Sequence, residues 1–393
     1  MCSLQHPNIA RTFDVYRDEE NYYVLMEFVE GKSLLDHIKT LPKITEKIVA
    51  GIMRELLLAV SFAHKNSIVH GNLSFSQVLC TPTKDSFTIK VVGFSGYEGM
   101  LDPLKLSPKD VIFYSPEKAA KKEPSVYGSD VWACGIICCA LLSGLIPFTV
   151  KEYAEDTLEE IKACNITIDT FKEGPWKKVS LEAKQFLIRM LERDTQKRSS
   201  SGALLYDKWL SSATEGNVAA EQIKALYENM QKMKGASSMQ NAILYYLAEK
   251  GKTSSLWSKA APIFKEMDKA GTGKITKSQF ALLLQKIGVN AAVNLEDAFA
   301  KLDLDGDGTL NYTELMTVFV GRELAKKEEN LKFAFDSLDL DKSGDLTAAE
   351  IIMALGGKEK CGKLADKIVQ ELSGYKEKKI NYSQFLELMQ KLS

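Results

Sequence analysis

The sequence predicts a mainly α-helical chain made of two unlike halves. Three observations support this prediction: a long uncharged stretch in the first half, an acidic window in the second, and helically spaced apolar residues between them. The chain has 393 residues, a net charge of −1 and 45% hydrophobic residues, a composition typical of globular proteins. At roughly 100–200 residues per domain, we expect two or three domains.

Composition and motif content argue against several classes of protein. Lys and Arg total 51 against 52 Asp and Glu, so the chain lacks the basic excess of a nucleic-acid binder. The seven cysteines show no C-x-x-C spacing, which favours reduced thiols and a cytoplasmic location. The four histidines form no H-E-x-x-H pattern, so zinc catalysis is not expected. Residues 1–10 are polar and do not resemble a secretion signal.

The uncharged stretch Val131–Val150 is long enough to cross a membrane. The alternative, which we favour, is a buried core helix. Gly144 and Pro147 predict that the helix ends at about Ser143, and no aromatic or basic cluster flanks the stretch. We therefore expect no transmembrane segment.

The acidic window, residues 301–350, holds 12 acidic and 6 basic side chains. Within it, Asp303–Glu314 matches the 12-residue EF-hand pattern, which places hard oxygen ligands around Ca²⁺ and a glycine, Gly308, at the sharp turn. The predicted ligands are Asp303, Asp305, Asp307, the carbonyl of Thr309, Asn311 and Glu314.

A second match, Asp339–Glu350, begins 36 residues after the first, with Gly344 at the turn. Two acidic turns on a helical domain are the alternative, but apolar helical segments flank both loops, as an EF-hand requires. The predicted ligands are Asp339, Asp341, Ser343, the carbonyl of Asp345, Thr347 and Glu350.

The repeat extends to two weaker loops, 268–279 and 373–384, which end in Gln and are not expected to bind Ca²⁺ well. We name them the silent loops. All four loops keep an apolar residue at position 8, which predicts a short β-bridge between paired loops. The residues are Ile275, Leu310, Leu346 and Ile380. Residues 257–393 thus resemble a four-EF-hand, calmodulin-like domain.

Several separated motifs of the first half resemble a eukaryotic Ser/Thr protein kinase. Segments 12–16 and 22–28 read as a hairpin, and residues 115–117 and 130–135 match the end of an activation segment and the start of a central helix. This resemblance implies a protein-kinase-like domain over residues 1–210, with a partial small lobe and a large lobe of the α+β class. It also implies a buried ion pair between Glu117 and Arg198.

The residues that carry kinase chemistry differ from the family pattern. Asn72 stands where the family has its catalytic Asp, Gln77 where it has a metal-binding Asn, and Gly93 where it has the main Mg²⁺ ligand. We therefore assign no catalytic and no cofactor-binding residues, and bound ATP and Mg²⁺ are not expected.

The glycine-rich loop and ATP-binding lysine of a kinase small lobe should precede His6, where the sequence has no room for them. The expectation is a truncated small lobe, explained either by an incomplete gene model or by a shortened domain. A hairpin without the rest of its sheet exposes an edge, which favours the first explanation.

A junction, residues 211–256, separates the two halves. Ile223, Leu226, Met230 and Met233 recur at helical spacing. An ordinary amphipathic linker helix is one interpretation. The other, implied by the resemblance, is an autoinhibitory helix gripped by the EF-hand lobes.

Kinase-like lobe, junction and four EF-hands in this order resemble a calcium-dependent protein kinase of the plant and apicomplexan type. The predicted function is a Ca²⁺-binding, Ca²⁺-responsive pseudokinase that passes its change to an unidentified protein partner. Two alternatives remain at this point: an active, atypical kinase with an incomplete N-terminus, and a passive Ca²⁺ sensor or adaptor.

Overall fold

A computed structural model describes residues 4–82, 87–94, 107–120, 126–211, 220–232, 235–250, 254–288, 295–357, 361 and 363–391. The chain divides into two compact units. The first comprises Met1–Gly216 with Lys269–Thr272, and the second comprises Asn217–Asp268 with Gly273–Ser393. Met233, which the junction prediction includes, lies outside the described residues.

The strands of the first unit form two small antiparallel sheets. The predicted hairpin is present as β1 (Thr12–Arg17) and β2 (Tyr22–Met26), paired with Val15 opposite Val24. The other sheet has the order β3 (Lys32–Ser33), β4 (Val78–Pro82) and β5 (Phe87–Val91).

Helices are the main regular elements in the described part of the first unit. They are α1 (Leu34–Ile38), α2 (Glu46–Lys65), α3 (Pro108–Val111), α4 (Pro116–Ala119), α5 (Val126–Ser143), α6 (Ala154–Ala163), α7 (Leu181–Met190), α8 (Ser201–Leu204) and α9 (Lys208–Ser211). Short 3₁₀ turns lie at Phe75–Gln77, Ile168–Phe171 and Gly174–Lys178.

Two long helices, α2 and α5, pack together at the centre of this unit. The Thr45 side chain caps α2 by accepting a hydrogen bond from Ile48 N at 3.3 Å. Helix α5 contains residues 131–143 of the uncharged stretch, and its Trp132 and Ile136 are fully buried. It ends at Ser143, as predicted, because Gly144 takes a left-handed conformation with φ of 75°.

Helix α5 begins at Val126, earlier than the uncharged stretch suggested, because the charged Asp130 that bounds this stretch lies inside the helix. Among the described residues, no helix combines the length and apolar character that a membrane crossing requires.

The second unit consists of helices joined by short loops. The helices are α10 (Ala220–Lys232), α11 (Ser238–Lys250), α12 (Ser254–Met267), α13 (Lys277–Lys286), α14 (Leu295–Leu302), α15 (Tyr312–Ala325), α16 (Glu328–Leu338), α17 (Ala348–Ala354), α18 (Lys363–Leu372) and α19 (Tyr382–Gln390). A 3₁₀ turn lies at Lys376–Lys378.

The predicted β-bridges between paired loops are confirmed. Strand β6 (Lys274–Thr276) pairs with β7 (Thr309–Asn311), and β8 (Asp345–Thr347) pairs with β9 (Lys379–Asn381). At the centre of each pair the position-8 residues lie opposite each other and are fully buried. These pairs are Ile275 with Leu310, and Leu346 with Ile380.

The helices α10 and α11, which we name the junction helices, belong to the core of this second unit. Ile223 and Leu226 of α10, and Ile243 and Leu247 of α11, are buried in it. Helix α11 packs against α15, α16 and α18. The junction segment thus shares one hydrophobic core with the EF-hand-like helices.

Candidate functional site

The loop between α14 and α15 brings its acidic side chains to one point. Asp307 N and Gly308 N donate to Oδ1 and Oδ2 of Asp303 at 3.0 and 2.8 Å, and Asp307 N also donates to Oδ1 of Asp305 at 3.1 Å. One oxygen from each of Asp303, Asp305 and Asp307 lies within 4.8 Å of the others. Three carboxylate oxygens at this spacing fit a divalent cation such as Ca²⁺.

Glu314, in the first turn of α15, is the buried acidic residue of the same loop and is 2% exposed. Its Oε1 and Oε2 accept from Leu304 N and Asn311 N, each at 2.8 Å. Burial, with the nearby charges of Asp305 and Asp303, raises the pKa of Glu314 to about 8, although the backbone hydrogen bonds oppose this shift. Its negative charge is therefore costly without a cation, and a divalent cation would offset that cost.

The loop between α16 and α17 repeats this pattern. Gly344 N donates to Oδ2 of Asp339 at 2.9 Å, and Leu340 N donates to Oε1 of Glu350 at 3.1 Å. Here the carboxylate oxygens that lie within 4.8 Å of one another belong to Asp339, Asp341 and Glu350. The glutamate at position 12 therefore already faces the aspartates of this loop.

Position 9 caps the helix that follows each loop. Oδ1 of Asn311 accepts from Glu314 N at 3.0 Å, and Oγ1 of Thr347 accepts from Glu350 N at 3.3 Å. These contacts fix the start of α15 and α17 and, with them, the position of each glutamate.

The side chains at positions 5 and 7 make further contacts. Thr309 donates to Oδ1 of Asp307 through its N at 2.8 Å and its Oγ1 at 2.5 Å. Ser343 Oγ donates to the carbonyl oxygen of Asp345 at 3.2 Å, while the Asp345 carboxylate pairs with Lys379 at 2.9 Å. The Asp345 side chain is thus engaged away from the carboxylate cluster, which agrees with its predicted role as a carbonyl ligand.

In the first silent loop, an amide replaces the carboxylate at position 12. Gln279 Oε1 accepts from Thr276 N at 2.8 Å, but its Nε2 donates to the Met267 carbonyl at 3.3 Å. Gly273 N donates to Oδ2 of Asp268 at 2.6 Å. The backbone arrangement of an EF-hand loop is preserved, while the amide supplies one oxygen and no charge.

In the second silent loop, Gln384 Oε1 accepts from Asn381 N at 3.0 Å. Glu377 and Lys378 have φ of 60° and 56° in the place of the usual glycine turn. A left-handed conformation is unfavourable for such residues, so this loop keeps the turn at a cost in backbone strain.

Sequence reasoning missed two lysines that link the paired loops. Lys274 and Lys379 each hold position 7 of a silent loop. Lys274 Nζ forms an ion pair with Oδ2 of Asp307, and Lys379 Nζ forms one with Asp345. An alignment of the four loops by position would have revealed the shared lysine, but not the two different acidic partners.

It also missed a glutamate that caps the junction helix α11. Both oxygens of Glu371, on α18, accept backbone hydrogen bonds, from Ser238 N at 2.8 Å and Met239 N at 3.0 Å. Gln240 Nε2 donates to the carbonyl of Leu388 at 2.6 Å. A carboxylate at a helix N-terminus stabilises the orphan N–H groups and the helix dipole.

Tyr245, within α11, lies in the electrostatic reach of the loop 303–314, which together with the loop 339–350 we name the calcium-type loops. Burial raises the pKa of Tyr245 well above its usual value, and the charges of Glu249, Glu314 and Asp305 add to this shift. The junction helix is therefore placed next to groups whose charge a bound cation would change.

In the first unit, residues 70–77, which we name the catalytic-type loop, are held by a buried aspartate. Asp130 on α5 is 1% exposed and accepts from His70 N at 2.8 Å and Gly71 N at 2.9 Å. His64 Nε2 lies 2.9 Å from Oδ2 of the same carboxylate. These hydrogen bonds hold the start of the loop in place. Asn72, the next residue, is exposed and offers an amide instead of a carboxylate.

The space beside Gly93 is filled by Gln77. A Cβ atom added to Gly93 would lie 2.5 Å from Oε1 of Gln77, and the φ of Gly93 is 81°. Next to them, His70 Nε2 donates to the Val92 carbonyl at 2.9 Å, and its Nδ1 accepts from Asn72 N at 3.3 Å. Within the described residues, the clusters of acidic groups that could hold a metal lie in the two calcium-type loops.

A cavity next to Gly93 has an apolar lining in the part of the chain that the structure describes. Its lining residues are Leu4, Ile9, Ala10, Thr12, Val24, Met26, Gly93 and Phe94. No charged side chain is among these described lining residues, so they offer no counter-charge to a phosphate group.

The predicted pair of Glu117 and Arg198 is confirmed. The guanidinium Nη1 and Nη2 of Arg198 donate to the two carboxylate oxygens of Glu117 at 2.6 and 3.0 Å. Arg198 also donates to the carbonyls of Gly128 and Glu192 and stacks over Trp132. A buried carboxylate in such a bidentate pair fixes α4 relative to the core of the unit.

Comparison with known proteins gives matches for both units. The protein kinase domain family matches residues 1–210, and the EF-hand domain pair matches residues 258–320. Calcium-dependent protein kinase 8 of Arabidopsis thaliana is 29% identical over 83% of this chain and 60% of its own length. Calcium-dependent protein kinase 4 of Plasmodium falciparum is 28% identical over 83% of this chain and 64% of its own length.

The chain therefore belongs to the protein kinase family. Its EF-hands and its similarity to these relatives support a place in the calcium-dependent protein kinase branch. The chain spans about three fifths of the length of these curated relatives.

Proposed function

We propose that this protein is a Ca²⁺-responsive pseudokinase that binds two Ca²⁺ ions. The observation that carries the calcium proposal is the pair of carboxylate clusters, each within 4.8 Å and each held by the same backbone hydrogen bonds. When bound, Ca²⁺ supplies the positive charge that these crowded oxygens lack. The residues that would hold it are Asp303, Asp305, Asp307, Thr309, Asn311 and Glu314 in one loop, and Asp339, Asp341, Ser343, Asp345, Thr347 and Glu350 in the other.

The pseudokinase part of the proposal is supported by Gly93, Gln77 and Asn72. Gln77 occupies the space that a side chain at position 93 would need, so the two substitutions fit each other. Asn72 provides no charged base. Phosphoryl transfer depends on metal ions that neutralise charge, and this arrangement offers them no carboxylate.

The junction helices supply the proposed route by which Ca²⁺ alters the protein. Glu371 caps one end of α11, which packs against α15, and α15 carries the charge of Glu314. Ca²⁺ at the first loop would change that charge and the environment of α11. The proposed output is altered affinity for a protein partner, in a cytoplasmic setting.

The calcium proposal is tested by titration calorimetry on the full chain. The wild type is expected to bind two Ca²⁺, and Glu314→Gln and Glu350→Gln are each expected to remove one site. Glu387→Gln, at a glutamate whose side chain is 72% exposed, is the matched control and should keep both sites. Four sites, or binding that neither substitution at position 12 affects, would refute the assignment.

The loss of phosphoryl transfer is tested with purified protein and labelled Mg-ATP. We expect no transfer of the γ-phosphate to protein substrates, with or without Ca²⁺. Robust transfer that disappears in Asn72→Ala would establish the active, atypical kinase instead.

The proposed coupling is tested by hydrogen exchange of the α11 amides. Exchange is expected to change when Ca²⁺ is added to the wild type and not to change in the Glu314→Gln, Glu350→Gln double variant. Identical exchange of the wild type in both states would favour the passive sensor or adaptor.

A further inference from the structure

A lysine of the first silent loop, Lys274, places its positive charge against the loop Asp303–Glu314. In the β6–β7 pair, Lys274 lies opposite Asn311, and its ammonium group reaches the carboxylate at position 5 of the neighbouring loop. Oδ2 of Asp307 accepts from Lys274 Nζ, while Oδ1 accepts from Thr309 N and Oγ1. Both oxygens of a predicted Ca²⁺ ligand are thus engaged in this structure.

The lysine interacts with more than one ligand of this loop. Besides its ion pair with Asp307, the ammonium group of Lys274 lies within the electrostatic reach of Asp305 and Glu314. The ammonium group of Lys274 therefore lies among the same negative charges that would attract a divalent cation.

We propose that Lys274 is a tethered competitor of Ca²⁺ and lowers the affinity of the loop Asp303–Glu314. This inference rests on the proposed binding of Ca²⁺ to that loop. Two effects act in the same direction. The ion pair with Asp307 must loosen before that oxygen can bind the ion, and the ammonium charge repels a divalent cation bound nearby.

The other pair of loops provides an internal control. Lys379 holds the same position 7, but it pairs with Glu377, which is not a proposed ligand, and with Asp345, which contributes only a backbone carbonyl to the proposed site. The Asp345 carboxylate does not need to be released when Ca²⁺ binds. The two lysines therefore differ in whether they engage a ligand oxygen, while their place in the loop is the same.

The test isolates each site by silencing the other. In a Glu350→Gln background, where the loop Asp303–Glu314 is the remaining site, Ca²⁺ titration should show that Lys274→Gln raises the affinity roughly 3- to 10-fold. Lys274→Arg, which keeps the charge, should leave the affinity within about 2-fold of the background. The gain from Lys274→Gln should shrink at high salt, because 53% of the Lys274 side chain is exposed to screening ions.

The matched measurement uses a Glu314→Gln background, where the loop Asp339–Glu350 remains. Lys379→Gln should change its affinity by less than about 2-fold. An equal gain at both lysines would show a general charge effect and overturn competition at Asp307. Unchanged or weakened binding in Lys274→Gln would overturn the proposal as well, since weakening means that Lys274 positions Asp307 for the ion.

A Glu350→Gln protein that binds no Ca²⁺ at all would refute the calcium site itself, and this inference with it. Binding by that protein with no response to Lys274→Gln would refute only the inference. The two failures are therefore distinguishable in one set of titrations.

Discussion

The catalytic-type loop of the first unit and the loop Asp303–Glu314 of the second are held in the same way and offer different chemistry. In both, backbone N–H groups donate to a buried carboxylate: Asp130 in the first unit and Glu314 in the second. Asp130 lies on α5, outside the loop that it holds. Glu314 belongs to its own loop and shares that loop with three aspartates.

This difference distinguishes the contacts that hold a loop in place from the side chains that give the loop its chemistry. Asp130 contacts two loop N–H groups and His64, so it acts as a structural anchor. Around Glu314, burial together with the charges of Asp305 and Asp303 raises its pKa to about 8, which favours a cation. Under the proposed function, the first unit thus keeps a structural anchor beside Asn72, which offers no charged base.

We expect the largest effect from removing a buried charge that holds the first unit together, the carboxylate of Glu117. Glu117→Ala leaves the Arg198 guanidinium buried without its carboxylate, so the first unit should lose about 3–5 kcal/mol of stability. Denaturant unfolding followed by tryptophan fluorescence reports on this unit through Trp132, Trp176 and Trp209. Glu173→Ala, at a side chain that is 83% exposed, is the control and should cost less than about 0.5 kcal/mol. Equal small losses would show that the pair is not structural.

Ligands should stabilise the two units unequally. At 100 times its dissociation constant, Ca²⁺ should add about 2.7 kcal/mol per site to the stability of the second unit. Mg-ATP should leave the unfolding of the first unit unchanged. Thermal unfolding with each ligand measures both effects, and the Glu314→Gln, Glu350→Gln double variant should lose the response to Ca²⁺. A clear rise in the unfolding temperature of the first unit with Mg-ATP would show that both units bind a ligand and would contradict this prediction.

Restoring one acidic residue to the first unit should damage it. Gly93→Asp places a Cβ against Gln77 and imposes a side chain at φ of 81°, which should cost about 1–3 kcal/mol. Shortening the neighbour with Gln77→Asn should recover part of this loss. Gly51→Ala, at a helical glycine with open space around its Cβ position, is the control and should stabilise by about 0.5–1 kcal/mol. Chemical denaturation of all four proteins would show whether positions 77 and 93 are coupled.

The dependence of stability on pH should reveal how the catalytic-type loop is held in place. Burial lowers the pKa of His70 below its ordinary value of 6.5, and the neutral ring accepts from Asn72 N through Nδ1. The unfolded state therefore binds the proton first, and stability should fall as the pH drops below 6.5, by at most about 1.4 kcal/mol per pH unit. His70→Gln should show a shallower decrease between pH 7 and 5.5. Parallel curves for the two proteins would contradict a neutral His70.

The sequence allowed correct predictions where the signal is local. The end of α5 at Ser143 follows from Gly144, and the β-bridges follow from apolar residues at one position of a repeated loop. The pair of Glu117 and Arg198 is distant in sequence, and only the resemblance to a family made it predictable.

What the sequence could not provide are contacts that depend on tertiary packing. Glu371 caps a helix that begins 133 residues earlier in the sequence. Neither segment contains a sequence motif that would predict this contact. The fit of Gln77 into the space beside Gly93 requires coordinates, since substitution alone does not show which side chain fills a gap. The partner of Lys274 likewise depends on how two loops pair.

The shared core of the junction helices has a practical consequence for dissecting this protein. A fragment that starts at residue 257 would lack α10 and α11 and would expose the surface that Ile223, Leu226, Ile243 and Leu247 now cover. Each such apolar side chain contributes on the order of 1.5–3 kcal/mol when buried. A fragment that starts at Asn217 keeps these helices. Calcium affinities measured on the shorter piece would describe a different, partly uncovered molecule.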